Sequence, residues 1–224
     1  MILTTKILCL VFTAVFCYLL GSVNSAITVC KLLKGKDIRK YGSNNAGLTN
    51  VLRVFGKGPA LATLLCDLAK GVLGVVICRI VVTRIVGVVF FDDKLFIGYV
   101  AGIFVMLGHI FPVFYGFHGG KGVLLTATTL LAIDPMTCVL SVAVFALIVA
   151  LTKYVSLGSI CAAISYPIFT FVTQLLRDND SRLINAGMAF IFAVLIIYMH
   201  RPNIHRLLAG NENKLSFGSK KKEE

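Results

Sequence analysis

Residues 95–133 read LFIGYVAGIFVMLGHIFPVFYGFHGGKGVLLTATTLLAI, and this stretch decides the fold. From 95 to 115 no Asp, Glu, Lys or Arg interrupts the run, which is the length a helix needs to cross a hydrocarbon core. A helix also satisfies its own backbone hydrogen bonds, which lipid cannot do for it. The apolar pattern breaks at FHGGKG (117–122), then resumes over 122–133. A lysine beside a membrane is costly unless something requires it. The stretch therefore predicts a spanning helix, a turn with a task, and a second apolar helix.

The rest of the chain extends the same pattern. Hydrophobic residues make up 58% of the 224 and charged ones 14%, with mean hydropathy +0.90, a membrane composition. Seven spans are expected, at 2–30, 59–82, 95–115, 122–133, 136–152, 155–176 and 183–199. The fourth and fifth are short and meet at Asp134-Pro135, as a tight hairpin or a broken element. The first 26 residues imitate a secretory leader, but apolar character resumes at AITVC, so the first span is read as retained. The seven cysteines form no CxxC pair and nearly all fall inside apolar runs, where they serve as small hydrophobes.

Charge gives orientation. With the C-terminus inside, fifteen of the 22 Lys and Arg lie on inner segments and six on outer ones, Lys70 falling within a span. The positive-inside rule then puts the N-terminus outside. The net charge of +12 is spread over loops, which favours anionic headgroups or phosphorylated substrates over nucleic acid. One all-α polytopic domain over 1–214 and a basic cytoplasmic tail over 215–224 are expected.

Four unusual polar segments then share the inner face. In YGSNNAGLTNVLR (41–53), Ser43, Asn45, Thr49 and Asn50 offer neutral donors, Gly47 frees the backbone, and Arg53 adds a fork that can grip two phosphate oxygens. A solvated loop of turn formers is the competing view. In FHGGKG, the amides of Gly119, Gly120 and Gly122 can converge on an anion as a nest, with Lys121 balancing its charge. A flexible hinge with a snorkelling lysine is the plainer alternative. KYVSLGS (153–159) contributes Ser156. HRPNIHRLLAGNENK (200–214) supplies His200, Arg201, Asn203 and Glu212, more than a positive-inside anchor needs. Within a span, Asp67 and Lys70 are three apart on one helix face, as either a structural pair or part of a substrate site. His109 fits a satisfied helix end at least as well as a site.

Several constellations are missing: no Walker A loop, H-x4-D or GxSxG pattern, and no clustered Cys and His for a metal. What remains is a metal-free, cofactor-free phosphate-binding surface against the bilayer.

These segments together resemble the bacterial acyl-phosphate-dependent glycerol-3-phosphate acyltransferases, the PlsY family. GSNNAGLTNVLR (42–53) is similar to that family's GSGNxGxTNxxR, and GHIFPVFYGFHGGKGV (108–123), YVSLGSI (154–160), HRPNIHRLLAGNENK and DLAKG (67–71) follow its other motifs. The likeness covers about residues 18 to 214 in order. Asn44 stands where glycine is common and Leu48 where alanine is common.

The resemblance implies seven helices, an outside N-terminus and a cytoplasmic site in the bacterial inner membrane. It also implies acyl transfer from acyl phosphate to glycerol 3-phosphate, giving lysophosphatidate and inorganic phosphate. The resemblance also implies an acyl-phosphate synthase as a protein partner. On this view Lys121 and the Gly119, Gly120 and Gly122 amides hold one phosphate. Ser43, Arg53, His200 and Asn203 hold the other, with Asn45 and Thr49 shaping the pocket. A small transporter of organic phosphate or phospholipid is the alternative, although polarity here concentrates on one face.

Overall fold

The structure is a computed structural model that describes residues 2–215; the tail from 216 on, with Lys220 to Lys222, lies outside the described residues. Within them the chain is helical, with a single isolated bridge between Phe90 and Asp93. Helices α1 (Ile2–Ser22) and α2 (Ser25–Lys34) replace the first expected span. They part at Asn24, whose side chain accepts a hydrogen bond from the Ile27 amide at 3.1 Å and so caps α2. Helix α3 (Leu48–Phe55) is short and leads through Gly56 into α4 (Lys57–Arg79), which ends in a π-helical turn, Ile80–Ile85. Then come α5 (Phe96–Ile110), α6 (Val123–Ile133), α7 (Pro135–Thr152), α8 (Val155–Leu175), α9 (Arg182–Met199) and α10 (Arg201–Leu208).

Among the described residues, six helical segments are long and apolar enough to cross a membrane: Leu3–Lys34, Lys57–Ile85, Phe96–Tyr115, Pro135–Thr152, Val155–Leu175 and Arg182–Met199. The remaining expected span, 122–133, is α6, whose 11 residues rise only about 16 Å. Asp134 stops it. Its carboxylate accepts from the Thr137 amide at 3.4 Å and hydroxyl at 2.8 Å, which caps α7 with Pro135 in the first turn. That carboxylate is buried and also paired with Arg177 at 3.1 Å. The "DP" junction is therefore a capped break between two helices.

Lipid offers no hydrophobic drive between helices, so close backbone approach does the packing. Helix α1 lies along α5 because Gly21 faces the Val105 backbone and Gly108 faces the Tyr18 carbonyl, with no room for a Cβ at either. Helices α4, α6 and α9 also pack on α5, and α8 lies between α7 and α9. Large apolar side chains left exposed, such as Leu8, Val15, Leu147 and Phe190, form the surface available to lipid.

The α1–α5 contact makes a direct prediction. Gly108→Val should lower the melting temperature in detergent, by the roughly 1–3 kcal/mol that overpacking costs. Gly187→Ala in α9, where a Cβ meets nothing within 4 Å, should leave it unchanged.

Candidate functional site

One end of the bundle collects the polar segments. A cavity of about 600 Å³ is lined there by the loop before α3, by α3, the α5–α6 turn, the start of α8, and α10 with the chain after it. Of the expected site residues, Ser43, Asn45, Gly47, Thr49, Asn50, Arg53, Asp67, Lys121, Gly122, Ser156, His200, Asn203 and Glu212 border it, as does His109. Gly119, Gly120, Lys70 and Arg201 do not.

The first loop is built around Asn50. Its side chain is buried, donates to the carbonyls of Tyr41 at 2.9 Å and Asn45 at 3.1 Å, and accepts from the Ser43 amide at 3.0 Å. Those bonds occupy Asn50 with shaping the loop. Asn44, the departure from the family pattern, has φ 58°, a left-handed conformation that asparagine tolerates. Gly47 precedes α3, and Thr49 and Arg53, four apart, share the helix face toward the cavity.

The glycine nest requires correction. The Gly119 amide donates to the Ile110 carbonyl at 3.0 Å and the Gly120 amide to the His109 carbonyl at 3.1 Å. Neither amide is left to face an anion. These carbonyls end α5 and need partners beside lipid, and a Cβ at Gly119 or Gly120 would strike His109. Glycine is required here by close approach, and the turn delivers Lys121 to the cavity.

Lys121 donates to the Asn203 side-chain oxygen. The two expected phosphate walls therefore meet, Lys121 of one bonded to Asn203 of the other. Asn203 is oriented in turn by Glu212, which accepts from its amide at 2.8 Å, from the Ser156 hydroxyl at 3.1 Å and from Arg206 Nε at 2.8 Å. The segment after α10 is held back against the α7–α8 turn by the Leu215 amide, which donates to Lys153 at 2.8 Å. Burial works against the Glu212 charge, and hydrogen bonds from Asn203, Arg206 and Ser156 outweigh it, so its carboxyl lies below the usual range. Burial, then the charges of Arg206 and Arg53, push Lys121 down to about 8, with Glu212 opposing. Three cations, Arg53, Lys121 and Arg206, thus line the cavity beside Glu212, while the cavity's other carboxylate, Asp67, is paired with Lys70.

His200 lies where α9 bends into α10. Its Nδ1 is 2.8 Å from the Ile196 carbonyl, which can only accept, so Nδ1 carries the proton. Burial, and then the Lys121 charge, hold its pKa at about 4. At neutral pH the ring is uncharged and Nε2 is an acceptor. Arg201 lies off this face of α10, stacked 3.6 Å over Tyr198 and donating to its carbonyl. Lys70 takes the structural alternative. It pairs with Asp67 at 3.1 Å and donates to the Val23 carbonyl at 3.1 Å, clamping α4 to the α1–α2 break.

Arg206 is one of the polar residues of the 200–214 stretch but was not among the expected site residues, although its spacing from Asn203 on α10 was available as a signal. A groove between apolar helices for the acyl chain is part of the expected scheme, but not the residues that form it. Below the polar mouth an apolar arm runs between Leu124, Ala127 and Leu130 of α6, Cys138, Val142 and Phe145 of α7, and Ala162, Ala163 and Tyr166 of α8. These residues carried no signal beyond the apolar pattern of any membrane helix.

Fold and site together define a polytopic membrane protein with a cationic, donor-rich cavity continuing into an apolar arm. The family model for glycerol-3-phosphate acyltransferase matches residues 11–210. The glycerol-3-phosphate acyltransferase of Clostridioides difficile (strain 630) is 43% identical, over 94% of this chain and 97% of that protein. The one from Chlorobaculum tepidum is 39% identical, over 92% and 96%. Among solved structures, PlsY (YgiH), an integral membrane glycerol 3-phosphate acyltransferase, in its glycerol 3-phosphate form is 35% identical, with TM-score 0.77 over 92% of this chain and 96% of that one. Its lysophosphatidic acid form gives 34%, 0.75, 92% and 95%. The chain belongs to the glycerol-3-phosphate acyltransferase family.

The Glu212 bonds yield a signed pH prediction for the activity of this family. Below about 8 Lys121 is charged and attracts an anion; above it that charge is lost. The kcat/KM for a phosphorylated substrate should therefore fall as pH rises through about 8. Glu212→Gln removes the charge that raises the Lys121 pKa, so this alkaline limb should move to lower pH. A merely structural Glu212 would lower activity without moving the limb.

Proposed function

We propose that the protein transfers a fatty acyl group from acyl phosphate to glycerol 3-phosphate, giving 1-acyl-glycerol 3-phosphate (lysophosphatidate) and inorganic phosphate. The observation that carries this is one cavity, cationic at its mouth and apolar in its depth. Such a cavity suits phosphates that must meet beside an acyl chain. Family membership supports the reading, as do the glycerol 3-phosphate and lysophosphatidic acid forms of the PlsY neighbour.

Chemically the task is light. The glycerol hydroxyl oxygen attacks the acyl carbonyl carbon and forms the ester bond. The bond from that carbon to the phosphate oxygen breaks, its electron pair leaves with inorganic phosphate, and the hydroxyl proton ends on phosphate. Acyl phosphate is already activated, so the protein has chiefly to position and screen. Positioning can supply roughly 7–11 kcal/mol of barrier reduction, and each donor aimed at the developing oxyanion about 3 kcal/mol. In this scheme Lys121, Arg53 and Arg206 screen the phosphates, and Ser43, Asn45 and Thr49 add donors. Asn50, Gly47, Ser156 and Glu212 hold those groups in place. The Lys and Arg distribution supports an outside N-terminus and a site on the cytoplasmic face of the bacterial inner membrane.

Two bases are available for the hydroxyl proton. A phosphomonoester titrates near about 6, above the His200 value of about 4. Substrate phosphate is the stronger base, and neutral His200 accepts a hydrogen bond through Nε2 to orient the hydroxyl.

The deciding assay uses detergent-purified protein with palmitoyl phosphate and labelled glycerol 3-phosphate. Lysophosphatidate should form without any sealed compartment, and palmitoyl-CoA should not replace the donor. A folded preparation that makes no product but moves phosphate across liposomes would mean transport instead. Lys121→Ala should lose at least about tenfold in kcat/KM, because an unpaired phosphate charge beside lipid is poorly tolerated. Lys121→Arg should not restore it, since a fork does not replace a compact ammonium. His200→Gln should keep the acidic limb of the pH–rate profile; loss of that limb would make His200 the base.

A further inference from the structure

Resting on the acyl-transfer reading above, we propose that Tyr166 sets the length of acyl chain the enzyme accepts by closing the deep end of the apolar arm. On α8 the lining residues repeat along a single face from Val155 to Tyr166, a rise of about 16 Å. The wall between is made of small side chains, Ser159, Ala162 and Ala163, which leave the space open. At Tyr166 the space ends: no residue of α8 beyond it lines the cavity, and Leu130 and Cys138 close the other two sides. All three are buried.

The stop is rigid. The Tyr166 ring is only 2% exposed and packs on Phe192, ring centroids 5.7 Å apart and planes inclined by 60°. Phe192 is itself 1% exposed and rests against Gly102 of α5, where an added Cβ would come within 2.9 Å of its Cζ. Ring, ring and backbone therefore form a stack with no slack, and a chain longer than the arm has nowhere to go at this end. The hydroxyl does not account for a tyrosine here, because its oxygen is buried and has no hydrogen-bond partner among the described residues, which costs stability. What the residue contributes at this position is the bulk of its ring.

The experiment measures kcat/KM for wild type and two variants with lauroyl, myristoyl, palmitoyl, stearoyl and arachidoyl phosphates and glycerol 3-phosphate. Tyr166→Ala deepens the arm. Relative to wild type, it should raise the preference for the donor next longer than the wild-type optimum by about tenfold, the scale on which closed apolar pockets sort methylenes. Ala163→Leu narrows the arm above the floor and should move the optimum to a shorter donor by a similar factor. Each variant is first checked for a monodisperse, cooperatively melting preparation. If Tyr166→Ala fails that check, Ala163→Leu decides alone, a shorter optimum supporting the proposal and an unchanged one overturning it. Product formation with the wild-type profile in both folded variants would mean that the chain leaves sideways into lipid, and would overturn the ruler while leaving acyl transfer intact. No product from wild type with any donor would instead defeat the acyl-transfer reading on which it rests.

Discussion

The two amides of Gly119 and Gly120, bonded to the last carbonyls of α5, are the constraint on which the site depends. A chain that leaves one apolar helix and enters another beside lipid cannot leave backbone groups unpaired. Here the returning strand of the turn satisfies the end of the outgoing helix. The turn is pinned from a second side by Arg39, which donates to the Tyr115 carbonyl at 2.7 Å and the His118 carbonyl at 3.0 Å while held by Asp37. With its course set in this way, the next residue, Lys121, reaches the cavity. The glycines serve the phosphate site at one remove, by letting the backbone come close.

Glu212 imposes the second ordering. It is a buried carboxylate among cations, and its partners come from the start of α8 and from α10. Because an amide side chain has a donor end and an acceptor end, bonding the Asn203 amide nitrogen to Glu212 turns its oxygen toward Lys121. One carboxylate thus decides the orientation of a neutral group and moderates the charge of a lysine. The surplus of cations is left for the ligand.

The short helix α6 is what joins headgroup chemistry to acyl chemistry. It starts at the turn carrying Lys121 and ends, capped by Asp134, before it has crossed a bilayer. Its inward face, Leu124, Ala127 and Leu130, forms a side of the apolar arm directly below the cationic mouth. The buried Asp67–Lys70 pair with His109 beside it closes the neighbouring wall at α4 and α5.

Much of this was legible from residue order. Apolar runs of spanning length showed an all-helical membrane protein, because only helices or closed barrels satisfy their backbone in lipid. The polar segments at 41–53, 121–122, 156 and 200–212 stood out because polar groups are expensive there, and they do meet at one cavity. Direction and partner were not legible. The glycines of FHGGKG looked like anion binders, and only their register against α5 showed that the amides of Gly119 and Gly120 were already engaged. Arg201 and Arg206 are alike as letters, and the rotation of α10 sends one to Tyr198 and the other to the cavity. Tyr166 was one aromatic among many apolar residues until α6, α7 and α9 packed around it. Sequence alone determined which stretches can afford to be polar in a membrane, since transfer energies depend on residue type. Which polar atoms remain open to a ligand was decided by tertiary packing, since that depends on what each atom already bonds.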